Sequence, residues 1–168
     1  MRFHDGHELT ADDVVYTFRS LIDPAFVSPR KGAYRLVQAI DAVDPYTVRF
    51  SLKEPFYAFP INLVMPIVAK GAGPELREHP MGTGPYRFVR YAVDDKVEMA
   101  ANPDYWGGAP RNHGLVLKIV PDDVMRGLEL KKGTVDLVVN DVAPDIVHQM
   151  RSDPSLQVVQ GPGVDYMY

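Results

Sequence analysis

The sequence has 168 residues, enough for about one domain or two small lobes, and its 46% hydrophobic and 24% charged residues exclude wholesale disorder. Its net charge of −4, with no run of five like charges, argues against nucleic acid or an anionic membrane as a main partner. The absence of cysteine excludes disulfides, thiolate nucleophiles and cysteine metal knuckles.

Met1-Arg2-Phe3-His4-Asp5 turns polar at once, so no apolar leader core is expected here. Thr10 followed by Asp13 reads as a helix start, and Val14, Phe18, Leu21 and Ile22 then share one face until Asp23-Pro24. From Val37 to Leu52 the apolar period becomes two, with Asp44-Pro45 as the turn of a hairpin. Residues 55–63 read as a short helix limited by Pro66, and 71–84 as loop. A second hairpin is expected from Tyr86, Phe88, Val97 and Met99, turning at Asp94-Asp95. Beyond an aromatic, turn-rich stretch at 102–110, the order is strand Leu115 to Val120, helix Asp122 to Lys132 capped by Gly133, strand Val135 to Val139, helix Pro144 to Arg151 and strand Leu156 to Gln160. The expected fold class is therefore α+β, antiparallel hairpins plus a helix, followed by an α/β part with β-α-β-α-β order.

Chemistry-bearing motifs are sparse. His4-Asp5-Gly6-His7-Glu8 offers four metal-ligand types, but its spacing fits no helical pair and Asp5-Gly6 is a common turn, which is the preferred reading. Gly82-Thr83-Gly84 begins like a phosphate loop, yet Pro85 removes an amide and no third glycine follows. No serine sits in a Gly-x-Ser-x-Gly elbow, and Asp12-Asp13 and Asp122-Asp123 read as helix-start charges, so enzyme activity is not expected. Neither a catalytic residue, a metal nor a cofactor is assigned. Tyr105-Trp106 reads as buried packing, with Trp106 largely covered; a ligand wall is the alternative.

Six motifs carry a resemblance. They are Phe3-His4-Asp5-Gly6 with the run from Leu9 to Phe18, Asp44-Pro45-Tyr46-Thr47-Val48, Gly82-Thr83-Gly84-Pro85-Tyr86, Asn102-Pro103-Asp104-Tyr105-Trp106-Gly107-Gly108, and Gly133-Thr134-Val135-Asp136-Leu137. In this order they resemble family 5 extracytoplasmic solute-binding proteins, the dipeptide-, oligopeptide- and nickel-binding components of ABC importers. The resemblance implies a fragment covering part of the first lobe of a type II periplasmic-binding-protein fold, with residues 1–78 as a small α+β subdomain and 79–168 as part of the α/β lobe. It implies a peptide or similar small solute and ABC permease subunits as partners, no nucleic acid, and a periplasmic or envelope-anchored location. Self-association through a cut sheet edge is a further expectation.

Ligands of open α/β sheets sit beyond the carboxyl ends of strands, which points to Asn140 and Asp141 after Val135 to Val139. Helix capping before Pro144 is the competing account of that pair. Similarity to the family's tyrosine-rich cleft segment adds Tyr166 and Tyr168, for which exposure by truncation is the alternative, and Tyr34 resembles a family position near the ligand. A free-standing scaffold or sensor domain contacting a protein partner is the second reading of the whole chain.

Overall fold

The computed structural model describes residues 1–139 and 142–161. The chain divides into two compact units, Met1–Tyr91 with Val97–Val116, and Ala92–Lys96 with the residues from Leu117 onward.

The first unit is organised by helix α1, Ala11–Ile22. Thr10 and Asp13 form its capping box, Asp13 Oδ2 accepting the Thr10 amide at 2.8 Å and the Thr10 hydroxyl at 3.1 Å. The other carboxylate oxygen accepts the Lys70 amide at 2.8 Å, so a residue only 4% exposed leaves neither oxygen bare. Burial by itself would raise the Asp13 carboxyl, but hydrogen bonds from the Thr10 and Lys70 amides outweigh it and hold the group below the usual carboxylate range. One turn on, the Thr17 hydroxyl lies 2.8 Å from Asp13 O and accepts the Val68 amide at 3.0 Å. The Tyr16 hydroxyl donates to Ala72 O at 2.6 Å. These bonds dock the irregular segment 67–72 along the helix.

Two strands pack on the helix's apolar face: β1, Val37–Asp44, and β2, Thr47–Leu52, paired antiparallel with Ile40 opposite Phe50 and Ala42 opposite Val48. Arg19 reaches Ile40 O at 2.7 Å, and the Ala11 amide donates to Pro45 O in the hairpin turn at 2.8 Å. The core comprises Val15, Phe18, Leu21, Tyr34, Val37, Ile40 and Phe59. Phe18 meets Tyr34 and Phe50 edge to face, with centroids at 5.6 and 5.1 Å. The expected short helix near 55–63 is a 3-10 turn at Phe59–Leu63.

A second sheet has the order β3-β4-β5, with β3 Tyr86–Ala92, β4 Lys96–Ala101 and β5 Gly114–Lys118. Asp94, at φ 57, supplies the left-handed residue of the turn placed there from sequence.

In the second unit, α2 spans Asp123–Lys131 and α3 spans Pro144–Met150. Asp122 caps α2 by accepting the Met125 amide at 2.7 Å, and Gly133, at φ 70, ends it as its sequence position implies. Gly127 is buried where α3 crosses. A Cβ built there would collide with Ile146 Cγ2 and meet Met150 Cε at 3.2 Å.

Two expected strands are absent among the described residues: Val135 to Val139 and Leu156 to Gln160 are irregular. Their apolar alternation is that of a strand, but alternation secures a strand only where a neighbour pairs its amides and carbonyls. Leu137 is 75% and Val159 82% exposed, so each run leaves apolar side chains in solvent, while Leu156 and Val158 are half-buried. The β-α-β-α-β order is therefore realised here only as β5, α2 and α3. Trp106 is a second correction: it is 62% exposed, with its ring tilted against Tyr105 at 5.2 Å. Tyr105 takes the inner position by folding over Gly107, where an added Cβ would come within 2.8 Å of its ring, and the next side chain faces solvent.

Two variants test this packing. Asp13→Asn should lower unfolding free energy by about 1–3 kcal/mol in urea denaturation, because a charge-assisted acceptor is lost from a buried site. The folded carboxyl titrates below its unfolded value, so its contribution is full above the unfolded range and fades as pH falls through the folded one. Asp13→Asn should therefore flatten the acid limb of the stability profile. Gly127→Ala should destabilise by about 1–3 kcal/mol through overpacking against Ile146, despite an intrinsic helix gain of about 1 kcal/mol.

Candidate functional site

Three of the sequence motifs meet in the first unit, around the turn 82–84 that leads into β3. The N-terminal segment closes on itself through a bridge between Arg2 and Glu8, with Gly6 at φ 96 and the Phe3 amide donating to His7 O at 2.9 Å. The turn read from Asp5-Gly6 is thus present. Phe3 is buried and stacks on His7 at 4.5 Å, while the His7 ring is 2.7 Å from Asp5 Oδ1. Burial of Asp5 is outweighed by its bonds from His7, which hold its carboxyl below the ordinary range.

From this turn His4 reaches the Gly82–Gly84 backbone: its amide donates to Gly82 O at 2.9 Å and its Nε2 to Gly84 O at 3.0 Å. Asn102, 2% exposed, approaches the same carbonyl from beyond β4, Nδ2 donating to Gly84 O at 3.1 Å. Its Oδ1 accepts Arg87 Nη2 at 2.6 Å and Nε at 3.1 Å, and Arg87 also bridges to Asp104 at 3.1 Å. His4, Asn102 and Arg87 therefore fix one turn, and beside it lies an open depression of about 540 Å³ lined by Arg2, His4, Asp5, Arg87, Asn102 and Asp104. It is polar and mixed in charge, suited to holding backbone in place; it gathers no nucleophile with a base.

The last motif has a local account in the second unit. Gly133 permits the left-handed cap, and the Thr134 hydroxyl lies 2.9 Å from Glu129 O and against the Glu129 carboxylate. Lys118 bonds the same carboxylate at 2.6 Å, and these two partners hold Glu129 below the ordinary range.

Of the residues assigned to ligand from sequence, Asn140, Asp141, Tyr166 and Tyr168 lie outside the described residues. Tyr34 is in the core at 4% exposure, its hydroxyl donating to Asn62 O at 2.5 Å. Burial raises that hydroxyl, with Arg30 opposing. Sequence reasoning passed over His4, Asn102 and Arg87 as partners; the signal available was an Asn opening a turn-rich motif and a His preceding Asp-Gly, but no spacing joins residues about a hundred positions apart.

Residues 1–168 match the bacterial extracellular solute-binding proteins, family 5 Middle, and the chain belongs to that family. Di/tripeptide-binding protein 2 of Pseudomonas aeruginosa (strain UCBPP-PA14) is 34% identical over 94% of this chain and 34% of its own length. DppA from Helicobacter pylori, solved with the peptide STSA, aligns with a TM-score of 0.78 at 29% identity over 89% of this chain and 33% of its own. NikZ from Campylobacter jejuni, solved with Ni(L-His), shares the fold with a TM-score of 0.84 at 24% identity, over 91% of this chain and 32% of its own. The chain thus spans about a third of the length of these relatives.

Removing the Asn102 side chain tests the joint. Asn102→Ala should cost about 1–3 kcal/mol in urea denaturation by leaving Arg87 and the Gly84 carbonyl short of partners, and Asn102→Asp should also destabilise, because it keeps the acceptor facing Arg87 but sets a carboxylate oxygen against the Gly84 carbonyl.

Proposed function

We propose that this chain forms part of the solute-binding component of an ABC importer, which takes a peptide or similar small solute between two lobes and passes it to membrane permease subunits in the periplasm or at the cell envelope. The observation that carries the reading is the family match along all 168 residues, with its motifs placed as structural joints of the fold. The peptide relatives at 34% and 29% identity support a peptide as solute. We further propose that residues 1–78 form a small α+β subdomain and 79–168 part of the α/β first lobe. Its support is that the core cluster and the hydrophobics packed on it all fall between Val14 and Ile67.

For the ligand, Asn140, Asp141, Tyr166 and Tyr168 are the proposed contacts, and Tyr34 contributes by shaping the subdomain from within its core. The exposed apolar runs at 135–139 and 156–160 favour self-association of the isolated chain.

The test is calorimetric titration of a di- and tripeptide library against both the complete protein and the 168-residue chain, with light scattering on the latter. The complete protein should bind with defined stoichiometry and the chain alone far more weakly, because closure of two lobes buries the ligand. Tight peptide binding by a monomeric 168-residue chain would overturn the two-lobe reading, and absence of peptide binding by the complete protein would overturn the assignment of solute.

A further inference from the structure

The bonds made by the His4 ring select one tautomer of the neutral imidazole. Gly84 O can only accept, so Nε2, 3.0 Å away, carries a proton. The Gly82 amide can only donate, and it points at Nδ1 from 3.3 Å, so Nδ1 must be bare. Both bonds exist together in one form alone, the neutral Nε2–H tautomer. A second proton would set an N–H of the ring against the N–H of Gly82, exchanging an attraction for a repulsion while the Gly84 bond survives.

The charged groups facing this ring do not offer Nδ1 a ready substitute. From its own turn come Arg2, whose Nη1 donates to Gly6 O at 2.8 Å, and Asp5, whose carboxylate is engaged by His7. From β3 comes Arg87, bound to Asn102 and Asp104, and Asp104 follows β4 as the partner of that arginine. Asn102 holds the Gly84 carbonyl and the His4 amide holds Gly82 O at 2.9 Å, both independently of ring protonation, so what protonation removes is the single bond of the Gly82 amide.

We propose that the His4 ring is a pH-sensitive latch on the Gly82–Gly84 turn ahead of β3: it holds the Gly82 amide when the imidazole is neutral and lets that amide go when it is protonated, while the His4 amide keeps Gly82 O. The device frees one amide while the His4 amide and Asn102 retain the turn, so acidification shifts local order at Gly82 without unfolding the unit.

The experiment is NMR on the 168-residue chain between about pH 8 and about pH 5, a range bracketing ordinary histidine titration. Long-range ¹H–¹⁵N spectra of the imidazole should show Nδ1 unprotonated at the upper end. The Gly82 amide protection factor should fall about tenfold in step with the His4 ring signal, the loss expected for one hydrogen bond. His4→Gln, whose amide both donates and accepts without titrating, should hold Gly82 protection constant across the range. His7→Asn, which removes the neighbouring imidazole and keeps His4, should retain the wild-type response. If His4→Gln does not fold, the wild-type and His7→Asn titrations decide. A Gly82 protection factor indifferent to the titration of His4, a response kept in His4→Gln or lost in His7→Asn, or a protonated Nδ1 at the upper pH would each overturn the proposal.

Discussion

The buried carboxylate of Asp13 is the constraint on which the first unit depends. A helix start leaves amides unpaired, and so does an irregular segment laid against it. One carboxylate answers both, taking the Thr10 amide on one oxygen and the Lys70 amide on the other. With 67–72 fixed by Asp13, Thr17 and Tyr16, and the hairpin turn fixed by Ala11 on Pro45, the helix has one direction left in which to present Phe18 and Leu21. The aromatic core fills that side. A polar pin thus sets the register, and apolar burial supplies the larger share of the driving force.

The recurring short motifs prove to be joints. Phe3-His4-Asp5-Gly6, Gly82-Thr83-Gly84-Pro85 and Asn102-Pro103-Asp104 contribute, respectively, a donor ring, a carbonyl and a buried amide to one turn. Gly133-Thr134 closes a helix and directs a hydroxyl onto Glu129. They hold the scaffold of a fold that this chain shares with relatives solved with a peptide and with Ni(L-His).

Gly127 and Trp106 show how position overrides the expectation attached to a residue type. Gly127 weakens its own helix intrinsically, yet its missing Cβ is what allows α3 to approach, with Ile146 and Met150 against it. Trp106 has the largest side chain of its motif and is left in solvent, because Tyr105 occupies the inner site over Gly107. Size alone predicts burial for both aromatics; the backbone turn admits one.

The sequence by itself determined the elements whose signals are local. The α1 capping box, the period-two hairpin around Asp44-Pro45, the turn at Asp94-Asp95 and the Gly133 cap all depend on residues within a few positions of one another, and each is where its residues place it. The order of its motifs also identified the family. Tertiary structure alone decided the rest. Val135 to Val139 and Leu156 to Gln160 have strand-like alternation but no paired neighbour among the described residues. Tyr34 is drawn into the core by Phe18 and Asn62. His4, Gly84 and Asn102 converge across a hundred residues of chain. The division has one physical reason: caps and turns are satisfied by atoms a few bonds away, whereas strand pairing, burial and a shared carbonyl require partners that only the folded chain brings within reach.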